Sequence, residues 1–572
     1  MNNKEIAEIF WAIADILEIK DENFFRIRAY RRAAQNIENI ADDINVLARE
    51  QRLNIPGVGA DLARKIKELV ETGRLAYFET LSQSLPAGLL QIMTIPGVGP
   101  KTTKLLYEQL KIDSVDALEK AAKNHEIAGL FGLKEKTEEN ILKGIALIRQ
   151  SHEKILLPEA MRIAGLIIAE IKKVKEAKQI SIAGSLRRQK ETVRDIDILV
   201  GSNQPQKVTD AFMRSEVAAE VLARGATKSA IRTHEGIQVD MRVVAPDSFG
   251  AALVYFTGSK EHNIRIRELA KKKKLKINEY GVFEEEGGRC LAGRTEEDVY
   301  RILGLVYIEP ELREDTREVE AAAAGKLPKL IKLKDVRGDL HVHSHWSDGT
   351  ASIAAMAAAA QAKGYEYMVI SDHSQWLGVA KGLTPGRLAQ QKKEIEALNK
   401  KLKNFTILRG TEVDIKSDGT LDFADDVLSG LDIVLAAIHS GFKQSREQIT
   451  ERLVKAMQNP YVNIIVHPSG RLINERAAYD FDFEAVLNTA KKTNTALEVN
   501  CYPKRLDLDD RHVRKAKEAG VLIALGTDSH APEQFNSMCL GVSVARRGWL
   551  EKKDVLNCLS CKELRKRIKK WI

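Results

Sequence analysis

A chain of 572 residues is too long for one hydrophobic core, and at roughly 150 residues per domain it points to about four. Lys and Arg outnumber Asp and Glu by 89 to 80, a net charge of +9 that suits a nucleic-acid partner, while a hydrophobic content of 44% is ordinary for a globular protein. Five dispersed cysteines exclude a disulfide framework, and no apolar stretch approaches the ~18 residues that span a bilayer.

The start, MNNKEIAEIFWAIADIL, is charged and helical in period with no signal-peptide core, so a cytoplasmic protein without a membrane partner is expected. Residues 1–150 read as helical throughout. One pattern occurs twice, forty residues apart: Leu53-Asn-Ile-Pro-Gly57-Val-Gly59 and Met93-Thr-Ile-Pro-Gly97-Val-Gly99, each followed by an amphipathic helix. Glycines at those positions allow a tight turn, and the first N–H groups of the next helix can hold a phosphate. These are helix-hairpin-helix modules, which grip DNA backbone without reading sequence. A degenerate third copy is expected at Leu130-Phe-Gly-Leu-Lys134. The segment divides into domains 1–80 and 81–150.

From residue 151 the period changes. A helix, PEAMRIAGLIIAEIKKV, leads to a strand at Gln179–Ala183, the turn Gly184-Ser185-Leu-Arg-Arg188, and then Asp195-Ile-Asp197 running into an apolar strand. Residues i and i+2 of a strand share a face, so Asp195 and Asp197 present paired carboxylates, and Asp240 in GIQVDMRVV supplies a third from a neighbouring strand. Three carboxylates behind a Gly-Ser turn suit two Mg²⁺ or Mn²⁺ ions and a triphosphate. Residues 151–245 form this domain and 246–316, with Tyr255-Phe-Thr-Gly-Ser259, a second mixed one. The charged, Ala-rich stretch EPELREDTREVEAAAAGKLP reads as a linker, spanning 317–336 between domains.

In residues 337–572, short apolar runs end repeatedly in ligand-type side chains. They are His341-x-His343 with Asp348, His373, Glu412, His439, His467 and the pair Asp528-x-His530. Buried parallel strands presenting side chains at their C-terminal ends are how a (β/α) barrel builds an active site. Nine ligands exceed the needs of one ion, which predicts a multinuclear metal site in a hydrolase. His345 and His512 fall outside the pattern, and Cys558-Leu-Ser-Cys561, a CxxC without a second pair, reads as incidental.

GSLRRQKETVRDID, Asp240, YFTGSKEHNIRIR and the two PGVG modules resemble a family X DNA polymerase of the polymerase beta type. HVHSHWSDG through GTDSH resembles the polymerase-and-histidinol-phosphatase (PHP) domain, and this tandem is that of bacterial family X polymerases. The resemblance implies a multidomain chain: an all-α N-terminal region, an α+β nucleotidyltransferase palm and thumb, and a distorted (β/α)7 TIM-like barrel. It implies that Asp195 and Asp197 bind both catalytic metals and Asp240 the one that activates the primer 3′-hydroxyl. Gly184, Ser185 and Arg188 would hold the nucleotide's phosphates. Tyr255, Phe256 and Gly258 would form its sugar pocket, and Asn263 and Arg267 would approach the nascent pair and template. The basic run from Lys271 would face DNA, as would Gly57, Gly59, Gly97 and Gly99.

The same resemblance places Lys65 at the Schiff-base position of a deoxyribose-phosphate lyase, with Phe25 and Arg26 near the 5′ end of a gap. Such a lysine needs a lowered pKa, and Arg64 and Lys67 are its sequence neighbours. Asp61, however, stands where animal relatives carry a basic residue. In the PHP domain three ions are implied, Mn²⁺, Zn²⁺ or Fe by ligand type, with Arg471 and Arg505 as candidate phosphate binders.

The expected function is gap-filling DNA synthesis in base-excision repair, coupled to a 3′–5′ exonuclease with 3′-end processing or abasic-site incision. The partners would be gapped or primed DNA and dNTPs, acted on by a cytoplasmic, nucleoid-associated monomer. The alternative is a nucleotidyltransferase on RNA or a small molecule with an attached phosphatase; a third is a non-catalytic DNA-binding scaffold.

Overall fold

The computed structural model describes residues 3–38, 44–49, 53, 55, 57–95, 97–130 and 132–568. It divides into two compact units, Met1–His152 with Asn474–Arg476, and Glu153–Ile473 with Ala477–Ile572. No helix among the described residues is long and apolar enough to cross a membrane.

Among the described residues up to 152 the first unit has helices and no strand, and it has two cores. One gathers Phe10, Ile13, Leu17, Tyr30, Ile66 and Leu69, and the other Leu89, Ile92, Leu106, Leu118 and Ile141. Both PGVG turns take one geometry. Gly57 and Gly97 sit at φ +79° and +90°, the N–H of Val58 or Val98 donates to the carbonyl of Ile55 or Ile95 at 3.0 Å, and Gly59 or Gly99 caps the next helix. The third turn repeats it, with Gly132 at φ +83° and Leu133 N–H donating to Leu130 at 3.0 Å before the helix Glu135–Glu153. Asn54, Pro56, Pro96 and Phe131 of these motifs lie outside the described residues.

The second unit opens with a five-stranded palm sheet in the order Gln179–Ile182, Asp195–Gly201, Gln238–Val244, Lys228–Thr233, Ala218–Arg224. Ile196, Ile198 and Val200 point into the core shared with helices Leu157–Ile171 and Pro205–Met213. Leu199, of opposite parity, packs on Phe249, Ala252 and Leu253 of the helix Phe249–Thr257. Asp195 and Asp197 share Leu199's parity, so the alternation that builds the core also fixes the face that carries the carboxylates.

The thumb combines the helix Lys260–Lys272, an antiparallel sheet of Leu275–Asn278, Gly281–Glu284 and Cys290–Ala292, and the helix Glu296–Ile302. The segment read as a linker is packed structure. Its helix Glu318–Ala323 buries Val319 and Ala322 in the thumb core, and Glu318 itself is fully buried, 2.7 Å from Nδ1 of His262.

Seven parallel strands follow in sequential order: Gly338–Val342, Tyr367–Ile370, Thr406–Asp414, Ile433–Ala437, Ile464–Ile465, Ala496–Asn500 and Ile523–Gly526. The barrel closes where Asp528 N–H donates to His341 and His343 N–H to Ser529, both at 2.9 Å. Near-continuous apolar strands with helical crossovers give this arrangement, because both faces of each strand are buried.

Candidate active sites

In the palm, the strands carrying Asp197 and Asp240 pair in parallel with those two residues opposite each other. Burial pushes the Asp197 carboxyl up to about 7, and the neighbouring Asp195 and Asp240 charges add to it. Asp195 is raised as well, by burial and then by Asp240. Three carboxylates that repel one another in a half-buried cleft are a site that needs cations, so the set fits divalent ions. The Gly184–Arg187 turn is packed directly on it. Gly184 lies at φ +59°, and a Cβ there would come within 2.1 Å of Asp197 Oδ2.

Around this cleft, Arg188 donates from Nη1 to the Thr257 carbonyl (2.5 Å) and from Nε to Glu314 (3.0 Å). Arg187 forms a two-armed pair with Glu296, which also accepts from the fully buried Arg313 and from the Tyr307 hydroxyl at 3.2 Å. Tyr255 and Phe256 meet edge to face at 5.1 Å, and the Arg242 guanidinium lies 4.5 Å from the Phe256 ring centre. Asn263 donates to the Tyr255 carbonyl at 2.7 Å, while its Oδ1 is buried without a partner, and Arg267 Nε donates to the Asn263 carbonyl. The cis peptide Gly258–Ser259 joins the two helices that carry these groups. Lys271 is exposed in the last turn of the second.

All nine barrel residues converge. His341, His343 and Asp528 form one potential ligand set, His343, Asp348, His373 and His530 a second, and His373, Glu412 and His439 a third. His467 joins through Nε2, 2.8 Å from Glu412 Oε1. Nδ1 of His343, His373 and His467 and Oε2 of Glu412 are buried without a hydrogen bond, although His373 Nδ1 lies only 3.0 Å from Glu412 Oε2. Buried polar atoms without hydrogen bonds are free to act as metal ligands, and the three overlapping sets fit divalent ions.

The residues behind the ligands were not singled out in the sequence. Glu498 lies 2.7 Å from His341 Nδ1 and accepts the His467 backbone N–H at 2.7 Å; Asp414 lies 3.3 Å from His439 Nδ1. Burial pushes the Glu498 carboxyl up to about 7 against the pull of His341. Asn500 donates to Asp528 at 3.1 Å. Orienting partners of this kind fix the ring tautomer of a ligating histidine. Their signal was faint: Glu498 is a single charge in the middle of the strand Ala496–Asn500, and Asp414 ends a strand that already carries Arg409 and Glu412.

The two arginines separate. Arg505 Nε stands 3.6 Å from Asp528 Oδ2, beside the cluster. The Arg471 guanidinium is committed to Glu191 of the palm (2.7 and 3.2 Å) and to the carbonyls of Arg505 and Leu506. Cys558 and Cys561 are free thiols, and His512 is held by Asp509 at 2.8 Å.

In the helical unit, Lys65 is buried against Tyr77 and Tyr30, 4.8 and 5.6 Å from their ring centres, and ion-paired with Asp61. Here the expected lowering is corrected. Burial opposes the ammonium, but the Asp61 bond and Tyr30 outweigh it, and the pKa is raised. Arg64 is spent on the same Asp61 (2.6 Å), and Lys67 pairs with Glu71 at 3.7 Å.

The palm, thumb and barrel together define a nucleotidyltransferase of polymerase type fused to a metal-binding phosphoesterase-type domain. The chain matches family models described as a helix-hairpin-helix domain (residues 1–75), a SAM-like helix-hairpin-helix tandem (89–146), a DNA polymerase beta palm (154–243), a DNA polymerase beta thumb (252–314) and a PHP domain (339–501). It is 41% identical over 566 residues to the DNA polymerase/3′-5′ exonuclease PolX of Bacillus subtilis (strain 168), covering 99% of both chains. DNA polymerase lambda of Rattus norvegicus is 25% identical over 340 residues, 54% of this chain and 56% of that one. A probable phosphatase of Thermoanaerobacter sp. (strain X514) is 30% identical over 231 residues, 38% of this chain and 89% of that one. The chain therefore belongs to the family X DNA polymerases that carry a C-terminal PHP domain.

Proposed function

We propose that this enzyme fills short gaps in DNA during base-excision repair at its palm and removes nucleotides from 3′ ends at its barrel. The observation that carries the reading is the coexistence of two separate clusters, three neighbouring aspartates in the palm and nine converging histidines and carboxylates in the barrel. Asp195, Asp197 and Asp240 would hold two Mg²⁺ or Mn²⁺ ions, and the imidazole-rich barrel set would hold three of Mn²⁺, Zn²⁺ or Fe. When bound, such ions neutralise phosphate charge and favour ionisation of the attacking oxygen.

The chain's own groups do the positioning. Backbone N–H groups of the Gly184–Ser185 turn and the Arg188 guanidinium hold the triphosphate, while Tyr255, Phe256 and Gly258 bound the sugar. Asn263, with its unpartnered Oδ1, and Arg267 face the nascent pair and template. Gly57, Gly59, Gly97 and Gly99 present backbone N–H groups to DNA phosphates, and Lys271 adds charge to the duplex surface. In the barrel Arg505 is the better placed phosphate binder; Arg471 would serve only by leaving Glu191. 3′-end cleaning and abasic-site incision are the same phosphoester hydrolysis, at a blocked 3′ terminus and at an internal bond respectively. The enzyme acts as a cytoplasmic, nucleoid-associated monomer.

The test uses a one-nucleotide gapped duplex with a labelled primer, with and without dNTPs, in Mg²⁺ or Mn²⁺. Asp195→Ala/Asp197→Ala is expected to abolish extension and keep shortening, and His341→Ala/His343→Ala the reverse. Loss of both activities in either variant would contradict two independent sites. Lyase chemistry at Lys65 would need release from Asp61. Borohydride trapping on a 5′-deoxyribose-phosphate end is therefore expected to be weak in wild type and stronger in Asp61→Asn.

A further inference from the structure

The barrel-domain helix Met538–Arg547 ends at the polymerase palm. Arg547 is nearly fully buried there. Its Nη1 donates to the backbone carbonyl of Arg188 (2.7 Å) and to Glu314 Oε1 (3.0 Å), and its Nη2 donates to Asp510 Oδ2 (2.5 Å). The same Glu314 oxygen accepts Arg188 Nε at 3.0 Å, with Lys190 Nζ at 3.6 Å. Glu314 thus lies between a palm arginine and a barrel arginine. A cavity of about 680 Å³ opens beside this network, lined from Ser185 and Asp195 on the palm to Asp510 and Arg547 on the barrel.

Arg188 faces a conflict that follows from the proposed polymerase reading, on which this inference rests. To reach a triphosphate its guanidinium must leave Glu314. A mostly buried carboxylate stripped of its counter-charge is costly, so Glu314 would tend to keep Arg188. Arg547 relieves that conflict, because its hydrogen bond to Glu314 at 3.0 Å, closer than Lys190 Nζ at 3.6 Å, keeps the carboxylate paired after Arg188 has moved. We infer that Arg547 of the PHP domain is a positioning residue for the polymerase reaction, holding Glu314 so that Arg188 is free to bind the incoming nucleotide's phosphates.

Single-nucleotide insertion on a gapped duplex separates the possibilities, using wild type, Arg547→Ala, Glu314→Gln and the double variant, with primer shortening as a control of folding. Arg547→Ala is expected to raise KM for the dNTP about tenfold while kcat changes little, because ground-state capture of Arg188 weakens nucleotide binding. Adding Glu314→Gln, which removes the competing charge, is expected to bring KM back to within about threefold of the Glu314→Gln value. An unchanged KM in Arg547→Ala overturns the inference. So does a double variant as impaired as Arg547→Ala, because a merely structural contact is not restored by neutralising Glu314. Absence of extension in wild type would instead overturn the polymerase reading and this inference with it.

Discussion

Each site is pressed against a glycine, and the contact distances say what one methyl group would do. At Gly184 a Cβ would lie 2.1 Å from Asp197 Oδ2, on a backbone at φ +59° that side chains rarely adopt. At Gly526 it would lie 2.1 Å from Glu498 Oε1 and 2.5 Å from His341 Cβ. Neither neighbour can retreat without leaving its cluster. Gly184→Ala is therefore expected to cut extension by about a hundredfold or more, the cost of a 1 Å misplacement, and to spare 3′ shortening. Gly526→Ala should do the opposite; a labelled-primer assay of both variants reads both rates. The direct ligands were legible because strand-end His and Asp break an apolar run. Glu498 sits in the middle of its strand and Asp414 follows Arg409 and Glu412 on its own, so neither stands out in the same way. The commitment of Arg471 to Glu191, 280 positions away in sequence, has no local signal.

At the scale of elements, the thumb is tied to the palm turn by Glu296, which bonds Arg187 at 2.6 and 2.7 Å and Arg313 at 2.8 Å. Burial opposes its charge, but the two guanidinium groups prevail and hold the carboxyl down at about 2, against an ordinary 4.5. A depressed folded-state pKa gives stability that is complete above 4.5 and is lost as the pH falls toward 2, amounting to roughly 3 kcal/mol. Glu296→Gln should therefore be less stable than wild type at pH 6 by urea unfolding, and the gap should be smaller at pH 4. A gap that stays constant between those pH values would show that the ion pairs do not carry the difference. Charge networks of this kind explain what the sequence concealed. EPELREDTREVE has the composition of a solvated linker, yet Arg313 and Glu318 are both fully buried. Composition cannot distinguish a charged residue in water from one whose partner, Glu296 or His262, comes from elsewhere. The helix-hairpin-helix turns were legible because their backbone demands glycine at a fixed offset from the next helix.

At the scale of the molecule, the PHP domain is not an appendage of the polymerase. Palm residues such as Ile163, Ile198 and Met241 belong to one continuous apolar cluster with barrel residues such as Val342, Val499 and Leu525. Thumb residues likewise share a core with Trp549 of the barrel domain. Ion pairs Arg471–Glu191 and Arg547–Glu314 cross the same seam. The helical unit has cores of its own. Cooperative melting follows shared cores, so calorimetry should resolve two transitions, a smaller one for residues 3–152 and a larger one for palm, thumb and barrel together. An ion that binds only the folded barrel stabilises it by mass action, about 3 kcal/mol at a hundredfold excess over Kd. Adding Mn²⁺ to chelator-stripped protein should raise the larger transition by several degrees and leave the smaller one in place. In His341→Ala/His343→Ala that shift should shrink strongly. Separate melting of barrel and palm, with only the barrel responding to metal, would show that the shared core does not couple them. The polymerase would then have no stability to gain from an occupied PHP site.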